Sequence, residues 1–124
     1  MQRGRALGLV AVGAFVGSVC RYLLAVMLPE TASLLGTLPW GTLVANVLGA
    51  FTLGALTARD RSPAVSLAVG TGFCSSFTTY STFAVETTAL APSVAAAYVG
   101  VTYGVGLAAV IAGRAVGTAG EGSG

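Results

Sequence analysis

Gly70-Thr71-Gly72-Phe73-Cys74-Ser75-Ser76-Phe77-Thr78-Thr79-Tyr80-Ser81-Thr82-Phe83 decides the fold. It packs the hydroxyls of Ser75, Ser76, Thr78, Thr79, Ser81 and Thr82 into a stretch otherwise apolar enough to cross a bilayer. Such side chains compete with the backbone for hydrogen bonds, which a stable lipid-facing helix has no use for. Non-helical backbone survives at membrane depth only where it is buried in protein or lines a polar cavity. The stretch therefore predicts an interrupted helix and marks the working part of the molecule.

The rest of the chain supports membrane depth. Of 124 residues, 55% are hydrophobic and 8% charged, with a mean hydropathy of +0.86. An ordinary soluble domain carries about a quarter charged residues. There is no His and no Lys, and the lack of His argues against a transition-metal site of the usual His/Cys type. Only Cys20 and Cys74 offer soft ligands, and both fall inside apolar spans as small buried residues rather than a disulfide framework. A net charge of +2, dispersed along the chain, does not suit nucleic-acid binding. No metal cluster or activated nucleophile points to an enzyme.

Four segments reach the roughly 20 apolar residues that a crossing needs, at about 6–28, 38–57, 63–88 and 92–113. Pro29, Pro39, Pro63 and Pro92 stand at their edges, where a missing N–H costs least. Ser62-Pro63 reads as an N-cap followed by Pro at the first helical position. The expected architecture is one all-α membrane domain over residues 1–116, with four transmembrane helices and the third broken mid-membrane. Residues 117–124, rich in Gly, are expected to be a disordered tail. Gly13 and Gly17, and likewise Gly100 and Gly104, have the four-residue spacing that lets helices approach closely in lipid.

Arg3, Arg5, Arg59, Arg61 and Arg114 all fall on one side of such a bundle, and the loops on the other side carry no Lys or Arg. The positive-inside rule places both termini in the cytoplasm. The polar groups within the spans are Arg21 in the first and Thr42 and Asn46 on one face of the second. The hydroxyl cluster with Tyr80 and Phe83 occupies the third, and Tyr98 and Thr102 stand one turn apart in the fourth. Arg21 lies deep enough to be an anchor or a functional group. Asn46 needs a partner in hydrocarbon, so it either ties helices together or turns its NH₂ towards an ion path. Carbonyls freed near Ser75 and Thr78 suit a hard monovalent cation, whereas hydroxyl and amide donors suit a small anion.

Taken together, Gly17-x-x-x-Arg21, Gly41-Thr42-Leu43-x-x-Asn46-x-x-Gly49-x-Phe51-x-x-Gly54, and Gly72-Phe73-Cys74 running into Thr78-Thr79-Tyr80-Ser81-Thr82-Phe83 resemble the Fluc/CrcB fluoride-channel family across all four spans. The resemblance implies a passive channel that lets fluoride leave the cytoplasm and so reduces fluoride toxicity. It also implies a dimer of four-helix subunits in opposite orientations, with two pores and a structural sodium ion at the dimer interface. By position, the carbonyls of Ser75 and Thr78 match the sodium ligands, Asn46 the pore amide and Arg21 the positive vestibule residue. Tyr80 and Phe83 match the aromatic rings beside the fluoride path, and Tyr98 and Thr102 the fourth-helix track. Thr42, Thr79, Ser81 and Thr82 complete the candidate ion pathway. Two departures stand out: Ser75-Ser76 replaces a usual pair of glycines, and Tyr80 replaces a usual Phe.

Identical subunits of opposite orientation need a chain with little Lys/Arg bias, and this chain has a marked one. The expectation is a heterodimer with a homologous subunit of opposite bias, favoured over a homodimer, in the cell membrane (bacterial inner or plasma membrane). Two rival readings remain at this stage. A small multidrug-type proton-coupled antiporter would need an acid near the bilayer midplane, which the first span lacks. A non-transporting membrane subunit would use its polar groups only to hold helices together.

Overall fold

The computed structural model describes residues 2–28, 31–33 and 36–122. Helix α1 (Arg3–Met27) is followed by a hairpin of two three-residue strands, β1 (Thr31–Ser33) and β2 (Gly36–Leu38), paired antiparallel with Thr31 opposite Leu38. Helix α2 (Trp40–Thr57) leads to a helical run of three parts: α3 (Pro63–Val65), a π-helical segment (Ser66–Cys74) and α4 (Ser75–Phe77). Helices α5 (Ser81–Ala89) and α6 (Pro92–Gly122) complete the chain.

Apart from the hairpin, the described residues build an all-α protein with three helices, α1, α2 and α6, long and apolar enough to cross a membrane. Its surface agrees with that solvent: Phe15 is 71% exposed and Leu107 63%. Apolar faces this extensive are not left to water in a monomer.

Packing proceeds in two pairs, α1 against the π-helical segment with α4, and α2 against α6. Both pairs depend on backbone touching backbone. A Cβ on Gly13 would overlap the Ala68 carbonyl, and one on Gly113 would overlap the Phe51 carbonyl. The Gly13/Gly17 spacing is thus used within the chain. Gly100 and Gly104 are not: a Cβ on either meets nothing within 4 Å, and α6 instead approaches α2 through Gly113 and Gly117.

Helix ends follow elementary capping rules. The Ser62 hydroxyl accepts from the Val65 N–H at 3.2 Å, with Pro63 opening the helix. At the other side of that loop Arg61 donates from Nε to the Leu56 carbonyl (3.3 Å) and from a terminal nitrogen to Ala55 (3.2 Å), satisfying the end of α2.

Three features depart from the sequence expectations. The hairpin replaces a plain loop before α2, which begins at Trp40 rather than 38. Helix α6 continues through the segment expected to be a disordered tail, as far as Gly122, and Gly117 within it lies against the Ala55 carbonyl. Ser123 and Gly124 lie outside the described residues, as do Pro29 and Glu30. The π-helical geometry, with i→i+5 bonding over nine residues, has no signal at the ordinary helical period.

Candidate functional site

The third helical run ends at Phe77. Thr78 then turns extended (φ −84°, ψ 161°), and helix resumes only at Ser81. Ser75 keeps helical dihedrals (φ −64°, ψ −35°), so the Cβ that serine adds where the related motif has glycine meets no conformational penalty.

Side chains take over the hydrogen bonds the interrupted helix gives up. The Thr79 N–H, which a continuing helix would direct to the Ser75 carbonyl, donates to Asn46 Oδ1 at 2.8 Å. The same amide returns a bond from Nδ2 to the Thr79 carbonyl at 3.0 Å. The Thr82 N–H, four residues beyond Thr78, donates to Thr79 Oγ1 at 3.2 Å instead. The carbonyls of Ser75 and Thr78 have therefore each lost the amide that regular helix would supply. Thr78 Oγ1 donates back to the Cys74 carbonyl (2.8 Å), and Ser76 Oγ to Gly72 (2.9 Å), so these two hydroxyls close off the helix end rather than search for partners in lipid.

Of the α2 face predicted from Thr42, Asn46 and Gly49, the last two meet this interruption. Gly49 is where the Thr78 methyl seats, since a Cβ there would overlap Thr78 Cγ2. Asn46, Ser75, Thr78, Thr79, Tyr80, Phe83 and Thr102 line one open groove of about 550 Å³. None of the residues lining it is charged. Thr102 Oγ1 is buried without a hydrogen-bond partner, and Asn46 Nδ2 keeps a second proton after its bond to Thr79.

Aromatic rings floor the groove. Phe83 is buried, its centroid 5.1 Å from Tyr98, 6.2 Å from Tyr80 and 6.1 Å from Tyr103, the last at an interplanar angle of 79°. Rings crossed in this way direct positive edges at their neighbours. Tyr80, by contrast, is 74% exposed. The sequence reading missed Tyr103, which lines the groove one position beyond Thr102. An isolated aromatic among small residues of α6 was the available signal.

Other expected residues lie apart from the groove lining. Thr42 is buried, and Tyr98, 1% exposed, packs with Leu38, Leu43 and Phe83 in the core. Ser81 Oγ lies 3.4 Å from Thr79 Oγ1. Arg21 donates to Thr82 Oγ1 at 2.9 Å, and its Nε is buried without a partner. Both cysteines are free thiols, Cys74 buried and Cys20 half-buried.

An apolar helical bundle that gathers uncharged donors beside a discontinuous helix defines a membrane protein with a polar groove at its interruption. Sequence comparison gives that class a family. The family model described as CrcB-like protein, Camphor Resistance (CrcB), matches residues 8–114, and the chain belongs to that family. It is 56% identical over 120 residues to "Fluoride-specific ion channel FluC 1" of Natronomonas pharaonis, covering 93% of this chain and 96% of that one. It is 46% identical to "Fluoride-specific ion channel FluC 2" of Halobacterium salinarum (90% and 86% covered) and 40% identical to "Fluoride-specific ion channel FluC" of Methanopyrus kandleri (90% and 88%).

Proposed function

We propose that this chain is a subunit of a fluoride-specific channel, through which fluoride leaves the cytoplasm passively and its toxicity is reduced. The observation that carries the reading is the groove at the helix interruption, lined by amide, hydroxyl and aromatic groups and by no ionised side chain. Fluoride is small and strongly hydrated, so a conducting site must replace water's hydrogen bonds without holding the ion against a buried full charge. Weak donors in series permit both entrance and exit. The names of the relatives support the same substrate. Arg21, with an unpartnered Nε, draws anions towards the path, and Asn46 and Thr102 supply donors along it.

In this reading 63–77 and α5 together form the third of four crossings, broken at membrane depth between Phe77 and Ser81. The open groove is closed by a second subunit inserted the other way up. The Ser75 and Thr78 carbonyls fit a structural sodium ion at that interface: they are neutral oxygen donors whose helical partners are diverted to Asn46 and Thr79. The ion would tie the interrupted helices of the two subunits together. The one-sided placement of Arg3, Arg5, Arg59, Arg61 and Arg114 favours cytoplasmic termini and a paired homologous chain of opposite bias over a homodimer.

The test is fluoride efflux from liposomes containing the chain alone or with a paired homologue, with chloride as control. Fluoride flux without chloride flux is the expected result. Flux that follows a proton gradient instead would restore the antiporter reading, and no flux with any partner would restore that of a non-transporting subunit.

A further inference from the structure

A second groove, of about 620 Å³, lies beside the loop between α2 and α3 and is lined by Arg59, Asp60, Arg61, Ser66, Thr71 and Ser75 among others. It shares Leu53, Gly70 and Ser75 with the groove at the helix interruption, so the two adjoin. It sits at the opposite end of the bundle from Arg21, whose end of α1 lies beside the start of α2 where Gly41 meets Ala25.

Three properties give this groove a direction and a charge. First, the π-helical segment lines up its hydroxyls. Ser66, Thr71 and Ser75 follow at intervals of five and four residues, which i→i+5 bonding brings to one face, whereas α-helical geometry would put Ser66 and Ser75 on opposite faces. Second, Arg61 is held in place by the Ala55 and Leu56 carbonyls, while Arg59, half-buried, makes no hydrogen bond or ion pair among the described residues. Third, Asp60 offsets only one of the two guanidinium charges, leaving the mouth positive.

We propose that the second groove is an anion vestibule, in which Arg59 gathers fluoride at the mouth and the row Ser66, Thr71, Ser75 hands it to the groove at the interruption. This rests on the channel reading above and adds a collecting site to it. A cleft with a net positive charge raises the local concentration of anions. Hydroxyls rotate to donate to a passing anion and carry no charge to trap it. An arginine at the mouth rather than in the constriction attracts the ion where water still screens the pair, so release is not slowed.

Because Arg59 also contributes to insertion bias, the charge is best changed after insertion. Arg59→Cys is reconstituted with whichever partner supports flux, in zwitterionic and in anionic liposomes. It is then treated with cationic, neutral or anionic methanethiosulfonate reagents, and wild-type protein treated alike reports on Cys20 and Cys74. The expected result at low ionic strength and low fluoride is about tenfold faster efflux after the cationic than after the anionic reagent. That difference should collapse near roughly 1 M of an impermeant salt, where the screening length is about 3 Å. Arg59→Lys should match wild type. Equal flux after all three reagents would overturn the vestibule while leaving the channel intact. An effect confined to anionic liposomes would assign Arg59 to lipid phosphate and overturn it likewise. Absence of fluoride flux from untreated wild type would sink the channel reading itself.

Discussion

Asn46 holds Thr79 by both of its backbone polar groups, accepting from the N–H at 2.8 Å and donating to the carbonyl at 3.0 Å. One side-chain amide thus does for the interruption what a neighbouring strand does in a sheet. It satisfies both polar groups of a backbone that has left the helix. The same residue that lines the groove also sets the groove's shape.

Replacing Asn46 should therefore damage structure and conduction together. Asn46→Ala leaves the Thr79 N–H and carbonyl without partners, at a cost of about 1–3 kcal/mol. Asn46→Asp keeps an acceptor for the N–H but sets a carboxylate against the carbonyl oxygen. Both should lower the unfolding midpoint in detergent and reduce fluoride efflux at least about tenfold. Unchanged efflux from Asn46→Ala would remove the amide from the pathway.

The two aromatics beside the groove should separate. Phe83 is buried among three tyrosine rings, so Phe83→Ala opens a cavity and should cost about 3–5 kcal/mol. Tyr80 is largely exposed within the chain, so Tyr80→Phe should change its stability by no more than about 0.5 kcal/mol. Unfolding of both variants in detergent checks the contrast, and a Tyr80→Phe effect as large as that of Phe83→Ala would contradict it.

Glycines of similar spacing should behave oppositely. Gly113→Ala forces a methyl into the Phe51 carbonyl and should destabilise the fold by about 1–3 kcal/mol. Gly104→Ala meets open space and should leave subunit stability alone. Should Gly104→Ala instead weaken only subunit association, its face belongs to the partner contact.

Arg21 and Thr82 form a bond between α1 and α5 worth about 1.5–3 kcal/mol when one member is charged. Thr82→Val should lose that stability while keeping the guanidinium. Arg21→Gln should lose the charge as well, so its efflux at low fluoride should fall further than that of Thr82→Val. Equal efflux in the two variants would make Arg21 an anchor only.

A reporter fused to the C-terminus should face one side of the membrane. Equal populations on both sides would remove the case for a paired chain of opposite bias.

Much of this was legible from residue order. The apolar spans, the proline edges, the Ser62 cap and the α2 face of Thr42, Asn46 and Gly49 all follow from short-range rules of period and capping. The hydroxyl cluster marked the interruption because those side chains compete locally with helical bonding. Residue order expected freed carbonyls near Ser75 and Thr78, and the backbone stays helical to Phe77 and opens at Thr78. It gave Gly100 and Gly104 a helix-packing spacing, whereas within the chain Gly113 and Gly117 make the close approach to α2.

Residue order alone determined that this chain is an apolar, helical membrane protein with one helix interrupted, because hydropathy and hydroxyl density are additive properties of neighbours along the chain. Only the tertiary structure decided that Asn46 clasps Thr79 rather than another helix, that Arg21 turns to Thr82, and that a π-helical stretch aligns Ser66 with Ser75. Those outcomes depend on which backbone arrives within about 3 Å of which side chain. Residues tens of positions apart settle that, through the space each helix leaves for the next.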